Sequence, residues 1–345
     1  MQRENGLKVV HIDEIEKWNS IVRSFSNYDV YYLAGYLKAF YIHGDGEPIL
    51  FHYETEDIKI LNVAMKREIK VNASESNDVL KTQFYDLSTV YGYGGPLIEG
   101  VFNKTDLIKF DEEYIAKCQE MNIVSEVIRF HPVLENYISF EGVYEIVELG
   151  KTITMDITEV QNILKNMDAK NRNMIRKAQK NNVHIYWGRS PELIVKFKTM
   201  YESTMERDQA TPYYFFKDNF YSSVLNDLKH NCLIFYAIYN YEIIAMSMIL
   251  FSNAQIHYHL SASDNNFRNL GATNLLLYEV ANWGHSNQFK TFHLGGGLGS
   301  KEDNLYKFKK VFNKKSKTVF KIGKKIFLHD AYSHLVDLRT NESKE

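Results

Sequence analysis

Three apolar runs, residues 232–239, 243–251 and 255–261, stand almost end to end in this chain, with only Asn-Tyr-Glu and Ser-Asn-Ala between them. Connections that short cannot carry a crossover, so the runs predict an antiparallel meander that must bury itself under helices. Directly after it, Arg268-Asn269-Leu270-Gly271-Ala272-Thr273 opens a helical pattern through Leu276, Leu277, Val280 and Trp283, and residues 291–294 return as a strand. The free N–H groups and dipole of such a helix start bind phosphate, and Arg268 would add a fixed positive charge.

A similar order can be read upstream. Residues 48–65 predict two strands around the turn Glu-Thr-Glu-Asp, and 83–87 predict a third that runs into the glycine-rich loop Tyr91-Gly92-Tyr93-Gly94-Gly95-Pro96. Residues 103–122 have helical spacing, and 124–130 return to a strand closed by His131-Pro132. No sequence repeat links the halves, yet both give three strands, a helix and a strand, which implies a structural duplication. Between them, Thr158 with Gln161 three residues on predicts a capped helix reaching Asn181-Asn182. Further helices are expected from Ser190-Pro191, over 216–228, and over 303–312 after a triple glycine. The expected class is mixed α/β (α+β), with two domains, each a mostly antiparallel mixed sheet flanked by helices. They cover 1–150, completed by 318–345, and 151–317, with the crossing at 145–151.

With 345 residues, 45% of them hydrophobic, the chain can bury two cores. Its longest apolar stretch, 243–251, is far short of the ~20 residues a membrane-spanning helix needs, and the charged start lacks the apolar core of a signal peptide. A cytoplasmic protein with at most peripheral membrane contact is expected. Cys118 and Cys232 are in no ligand spacing and read as reduced thiols. A formal net charge of −2 speaks against DNA or bulk nucleic-acid binding, but basic residues concentrate at 165–180 and 307–325. Solvated helix faces and an anion-facing surface both remain open for these segments.

The Arg268–Thr273 spacing resembles the acyl-CoA pyrophosphate loop of GNAT acyltransferases, with Thr273 where Gly or Ala is usual. Longer segments resemble the FemAB-type family of tandem-GNAT aminoacyl and acyl transferases: Asn171-Arg172-Asn173-Met174-Ile175-Arg176-Lys177-Ala178, the stretch from His257 through Ser261-Ala262-Ser263 to Trp283, and His293-Leu294-Gly295-Gly296-Gly297 followed by Leu305, Phe308-Lys309 and Phe312. In the first half, Tyr85-Asp86, the 91–96 loop and Arg129-Phe130-His131-Pro132 resemble the family's cell-envelope branch. The family's inserted helical arm has no counterpart here, and many relatives carry Asp where His293 stands.

The resemblance implies two GNAT-like domains and transfer of an aminoacyl or acyl group to an amine of a peptidoglycan or surface-glycan precursor, UDP-linked or lipid-linked. No permanently bound cofactor is implied; the donor, aminoacyl-tRNA or acyl-CoA, is a co-substrate. Arg268, Gly271, Ala272 and Thr273 would hold the donor. Lys309 would stabilise the donor or the oxyanion, with a solvated lysine as its plain alternative. Arg207 and Thr204 would contact the acceptor, with a helix-end salt bridge as the alternative for Arg207. Asp86 is a candidate base or a turn aspartate, and Tyr91, Tyr93 and Arg129 are candidates for an acceptor groove. Tyr258 and His259 precede the phosphate turn, and strand alternation would let only one point inward. His257 and His259 would share a face, but without a third ligand no metal is expected. A CoA-dependent N-acetyltransferase acting on a nucleotide-linked amino sugar and a non-catalytic precursor-binding module are the alternatives.

Overall fold

The computed structural model describes residues 5–70 and 82–342. The chain divides into two compact units, Met1–Glu148 with Lys321–Glu345, and Leu149–Phe320. The first contains β1 (Gly6–His11), α1 (Ile15–Arg23), α2 (Ala34–His43), β2 (Glu47–Glu54), β3 (Ile58–Glu68), β4 (Tyr85–Ser88), β5 (Leu97–Gly100), α3 (Lys104–Glu120) and β6 (Ile123–Arg129). After β7 (Glu145–Lys151), which leads out of it, come β8 (Ile153–Asp156), α4 (Val160–Asn166), α5 (Ala169–Lys180), β9 (His184–Gly188), α6 (Pro191–Arg207) and α7 (Asp218–Asp227). The second unit continues with β10 (Cys232–Tyr239), β11 (Glu242–Ser252), β12 (Gln255–Ser263), α8 (Ala272–Ser286), β13 (Thr291–Gly295) and α9 (Asn304–Lys310). Finally β14 (Val319–Ile326) and α10 (His329–Glu342) return to the first unit.

The first sheet has the order β1-β2-β3-β4-β6-β14-β7, with β5 on β3, and the second has β9-β10-β11-β12-β13-β8. The two topologies repeat one another. In each, four strands pair antiparallel in sequence, two helices lie between the first and second strands, and a helix then leads to a fifth strand parallel to the fourth. The duplication inferred from pattern is therefore one of topology.

The three-residue connections of the meander become tight turns between β10, β11 and β12. β11 is buried along nearly its whole length, which is why its sequence reads as a continuous apolar run rather than an alternation. Fully buried Phe235, Ile249, Ile256, Leu276, Val280 and Phe292 join this sheet to α8, each contributing about 1.5–3 kcal/mol of burial. The first unit has its own core around Phe51, Phe110, Tyr114 and Phe140.

The expected helix from Thr158 to about residue 181 is two helices. The Thr158 hydroxyl donates to Asp156 instead of capping, and α4 starts without a side-chain cap. Met167 is extended, and Asp168 accepts from Lys170 N–H at 2.8 Å as a new N-cap for α5. A residue that caps well and donates its own N–H to Val311 gains more from ending the helix than from continuing it.

Candidate functional site

The turn between β12 and α8 starts where Asp264 accepts from Asn266 N–H at 2.8 Å and sets a short 3-10 stretch, Asn265–Leu270. Gly271 follows at φ 73°, and a Cβ there would stand 2.9 Å from the Met174 carbonyl oxygen, so glycine is required twice over. Gly271 is also the N-cap of α8, and no side chain caps that helix. The N–H groups of Ala272, Thr273 and Asn274, in the first turn, thus lack intrahelical acceptors, with exposed Arg268 one short helical turn ahead. Asn274 Nδ2 donates to the buried Asn171 Oδ1 at 2.8 Å, which ties the turn to α5. Two segments that resemble the FemAB type, more than ninety residues apart, are thereby one structure.

Next to this turn the sheet parts. β12 and β13 pair only at Gln255↔Thr291, Ile256↔Phe292 and His257↔His293. On its other side β12 pairs Tyr258 with Ile249 and Leu260 with Met248, so the register skips His259 as a bulge residue. A bulge cancels period-2 alternation. The expectations that His257 and His259 share a face, and that Tyr258 and His259 oppose each other, rested on that alternation, which the bulge interrupts. Tyr258 instead groups with the hydroxyls of Ser261 and Ser247, themselves 3.2 Å apart. Burial pushes the Tyr258 phenol up to about 12, against the opposing pull of those hydroxyls. Burial, helped by His257, pulls the His259 imidazole down to about 3, so it is neutral at physiological pH.

Lys309 closes this end of the sheet. It is 8% exposed, its Nζ donates to Gly296 O at 2.7 Å, and it lies 5.9 Å from the Tyr258 ring centroid. Burial pulls its pKa down to about 8, with Asp303 opposing. Asp303 also caps α9, accepting from Tyr306 N–H at 2.8 Å and Leu298 N–H at 3.0 Å, so one carboxylate fixes both the helix that carries Lys309 and the loop after the triple glycine. Sequence reasoning starts the last helix at Asp303 but gives that residue no part in the site.

The corresponding place in the first unit is built differently. Where β4 ends, the glycine loop fills the gap to the β6 end: Gly94 N–H donates to Arg129 O at 2.8 Å, and His131 N–H donates to Gly94 O at 3.1 Å. The helix that follows, α3, has a complete capping box, with Asn103 Oδ1 accepting from Thr105 and Asp106 N–H and the Asp106 carboxylate accepting from Asn103 N–H. Its N-terminus is satisfied and negatively charged, the opposite of α8.

The remaining sequence candidates separate. In the second unit, Thr204 on α6 is buried, and its hydroxyl accepts from Ser263 N–H at 3.3 Å; Arg207 donates to Ser263 O at 3.0 Å and pairs with Asp208. Both therefore meet the end of β12, beside the turn into α8. In the first unit, Asp86 faces Arg67 across the β3–β4 pair, and each of its oxygens accepts from the guanidinium, at 2.8 and 2.7 Å. Arg129 Nε donates to Gly92 O at 2.9 Å, its guanidinium lies 5.9 Å from the Tyr93 ring, and Tyr91 stacks on Phe40.

Sequence reasoning missed the group at the centre of this cluster, the fully buried pair of His131 and Asp29 at 2.7 Å. His131 Nδ1 accepts from Val133 and Leu134 N–H, which puts its proton on Nε2, donating to Asp29. The rings of Tyr31 and Tyr93 pack on the imidazole. Asp29 and His131 lie 102 positions apart, and no motif spacing connects them.

Comparison with known proteins agrees with this architecture. Residues 165–310 match the acetyltransferase (GNAT) domain family. No curated protein sequence matches the chain. Among solved structures, FemX superposes with a TM-score of 0.65 at 13% identity, over 94% of this chain and 99% of that one. A conserved protein of unknown function from Bacteroides thetaiotaomicron gives 0.58 at 10% identity, over 93% and 99%. The C-terminal domain of a putative lysylphosphatidylglycerol synthetase from Agrobacterium fabrum gives 0.54 at 10% identity, over 90% and 91%. At these identities the likeness is one of fold.

Proposed function

We propose that this FemAB-like tandem-GNAT protein transfers an acyl or aminoacyl group from a phosphate-bearing donor, held by its second unit, to an amine of a cell-envelope precursor. The observation that carries this is the asymmetry between two topologically equivalent helix starts. α8 offers uncapped N–H groups beside Arg268, where α3 spends its own on Asn103 and an aspartate.

The acceptor amine, uncharged, attacks the donor carbonyl where β12 and β13 part; a C–N bond forms and the bond to the thiol or ribose oxygen breaks. The Lys309 ammonium balances the developing oxyanion from a largely desiccated position. Tyr258, held as a neutral phenol, supplies the leaving group's proton, and the proton lost by the attacking nitrogen returns to the phenolate through solvent. Thr204 and Arg207 brace the end of β12, and Arg207 is placed to meet an anionic part of the acceptor. Asp86 has no place in this scheme because Arg67 takes both of its oxygens. Support for an envelope acceptor comes from the sequence resemblance of the 91–96 and 129–132 segments.

Thermal-shift titration with acetyl-CoA tests the donor half. A ligand at a hundred times its Kd stabilises a fold by roughly 2.7 kcal/mol, and Arg268→Ala should lose about tenfold in affinity at unchanged basal Tm. An aminoacyl-tRNA bound in place of acetyl-CoA, with the same loss in Arg268→Ala, selects the other donor. No stabilisation by either sinks the proposal and favours a non-catalytic binding module.

A further inference from the structure

Two basic segments of the sequence, about 140 residues apart, meet in the second unit at the α4–α5 junction. Asp168 N–H donates to Val311 O at 2.8 Å, and Lys314 N–H donates to Asn166 O at 3.1 Å. Five exposed lysines, Lys165, Lys170, Lys310, Lys314 and Lys315, lie within two positions of the residues joined by those two bonds. The carboxylate of Asp168, the acid at the junction, is committed to capping α5. Among the described residues no ion pair involves any of the five lysines. A chain whose formal net charge is −2 thus gathers like charges around one junction.

Beside the lysines, α4 turns out Val160 and Leu164, 53% and 39% exposed and four residues apart on one helical face. Lysines with aliphatic side chains and no exposed aromatic ring suit a lipid surface: the ammonium groups meet headgroup phosphates while the aliphatics enter the boundary of the acyl layer. Single-stranded nucleic acid would call for aromatic platforms, and the exposed Tyr186 and Trp187 are on β9, not at this junction.

We propose that the α4–α5 junction, with the loop after α9, docks the protein peripherally on an anionic lipid bilayer. This does not depend on the acyl-transfer proposal, since none of the five lysines is assigned a role in it. The test is co-sedimentation of the full chain with vesicles of 30% phosphatidylglycerol in phosphatidylcholine, against pure phosphatidylcholine, across a salt series. Binding should require the anionic lipid and weaken with salt. The triple variant Lys165→Glu, Lys314→Glu, Lys315→Glu should lose at least about a hundredfold, at roughly fivefold per lysine, with its Tm unchanged. Lys229→Glu, on the exposed α7–β10 turn, is the control and should lose little. Equal binding to neutral vesicles, no binding to anionic ones, or an undiminished triple variant each overturns the proposal. So does tighter binding of a generic RNA oligonucleotide that the triple variant abolishes, which would make the patch a nucleic-acid surface.

Discussion

At the scale of single residues, Lys309 is where stability and chemistry pull in opposite directions. Its folded pKa, about 8, lies below the ordinary value of 10.5 because burial disfavours the ammonium. Between those values the unfolded chain binds the proton and the folded chain does not, so stability rises as pH is raised through that window. Below about 8 both states are charged, and the folded state carries a penalty of about 3 kcal/mol, partly offset by the bond to Gly296 O. Lys309→Met should therefore melt a few degrees higher than the native chain at pH 7, with the gap closing by pH 10.5. Turnover should fall by about 10²–10³ in the same variant. Because the reaction uses the ammonium, native activity should decline as pH rises through about 8. A variant that is less stable at pH 7, or a rate that climbs through pH 8, would show that Lys309 is not a charged group stabilising the transition state.

At the scale of elements, Gly271 and Asn103 occupy equivalent places and predict different consequences. Gly271→Ala forces an L-residue into a left-handed conformation against Met174, which should cost about 1–2 kcal/mol and weaken donor binding with it. Asn103→Ala removes a cap from α3, should cost about 1 kcal/mol, and should leave donor affinity unchanged. Chemical denaturation and donor titration of both variants separate the two effects. The meander and α8 were legible in sequence because three-residue turns and 3.6-residue spacing are local signals. The bulge at His259 was not, since it exists only in the register between β11 and β12. Short β5, β8 and β9 escaped for a related reason: four or five residues acquire strand character only from the neighbour they pair with. Among candidate site residues, Arg268 to Thr273 and Lys309 could be singled out from contiguous motifs. The His131–Asp29 pair could not, because a contact across 102 positions leaves no spacing to find.

At the scale of the whole molecule, the two units carry separate cores, and among the described residues the buried carboxyls, Asp29 and Glu126, both belong to the first. Glu126 is 1% exposed, accepting from Asn62 Nδ2 at 2.8 Å and the Tyr144 hydroxyl at 2.9 Å. Burial raises its pKa despite these bonds. A carboxyl whose folded pKa exceeds the unfolded one contributes stability that is fully present below the unfolded value and is lost as pH rises through the folded value. The first unit should accordingly lose stability as the solution goes from acid toward neutral, while in the second the like contribution of Glu279, also raised by burial, is opposed by His259, whose lowered pKa adds stability as pH rises. Hydrogen exchange read by peptide can assign the loss: between pH 5 and 8, after correction for intrinsic rates, protection in β3 and β6 should fall relative to β11. Glu126→Gln keeps an oxygen to accept from Asn62, turns an N–H donor toward the Tyr144 hydroxyl and cannot ionise, so it should reduce that difference. If protection in β3 and β6 keeps step with β11 in the native chain, Glu126 titrates normally inside the fold, and its three polar neighbours, Asn62, Tyr144 and Tyr114, solvate the charge as well as water does.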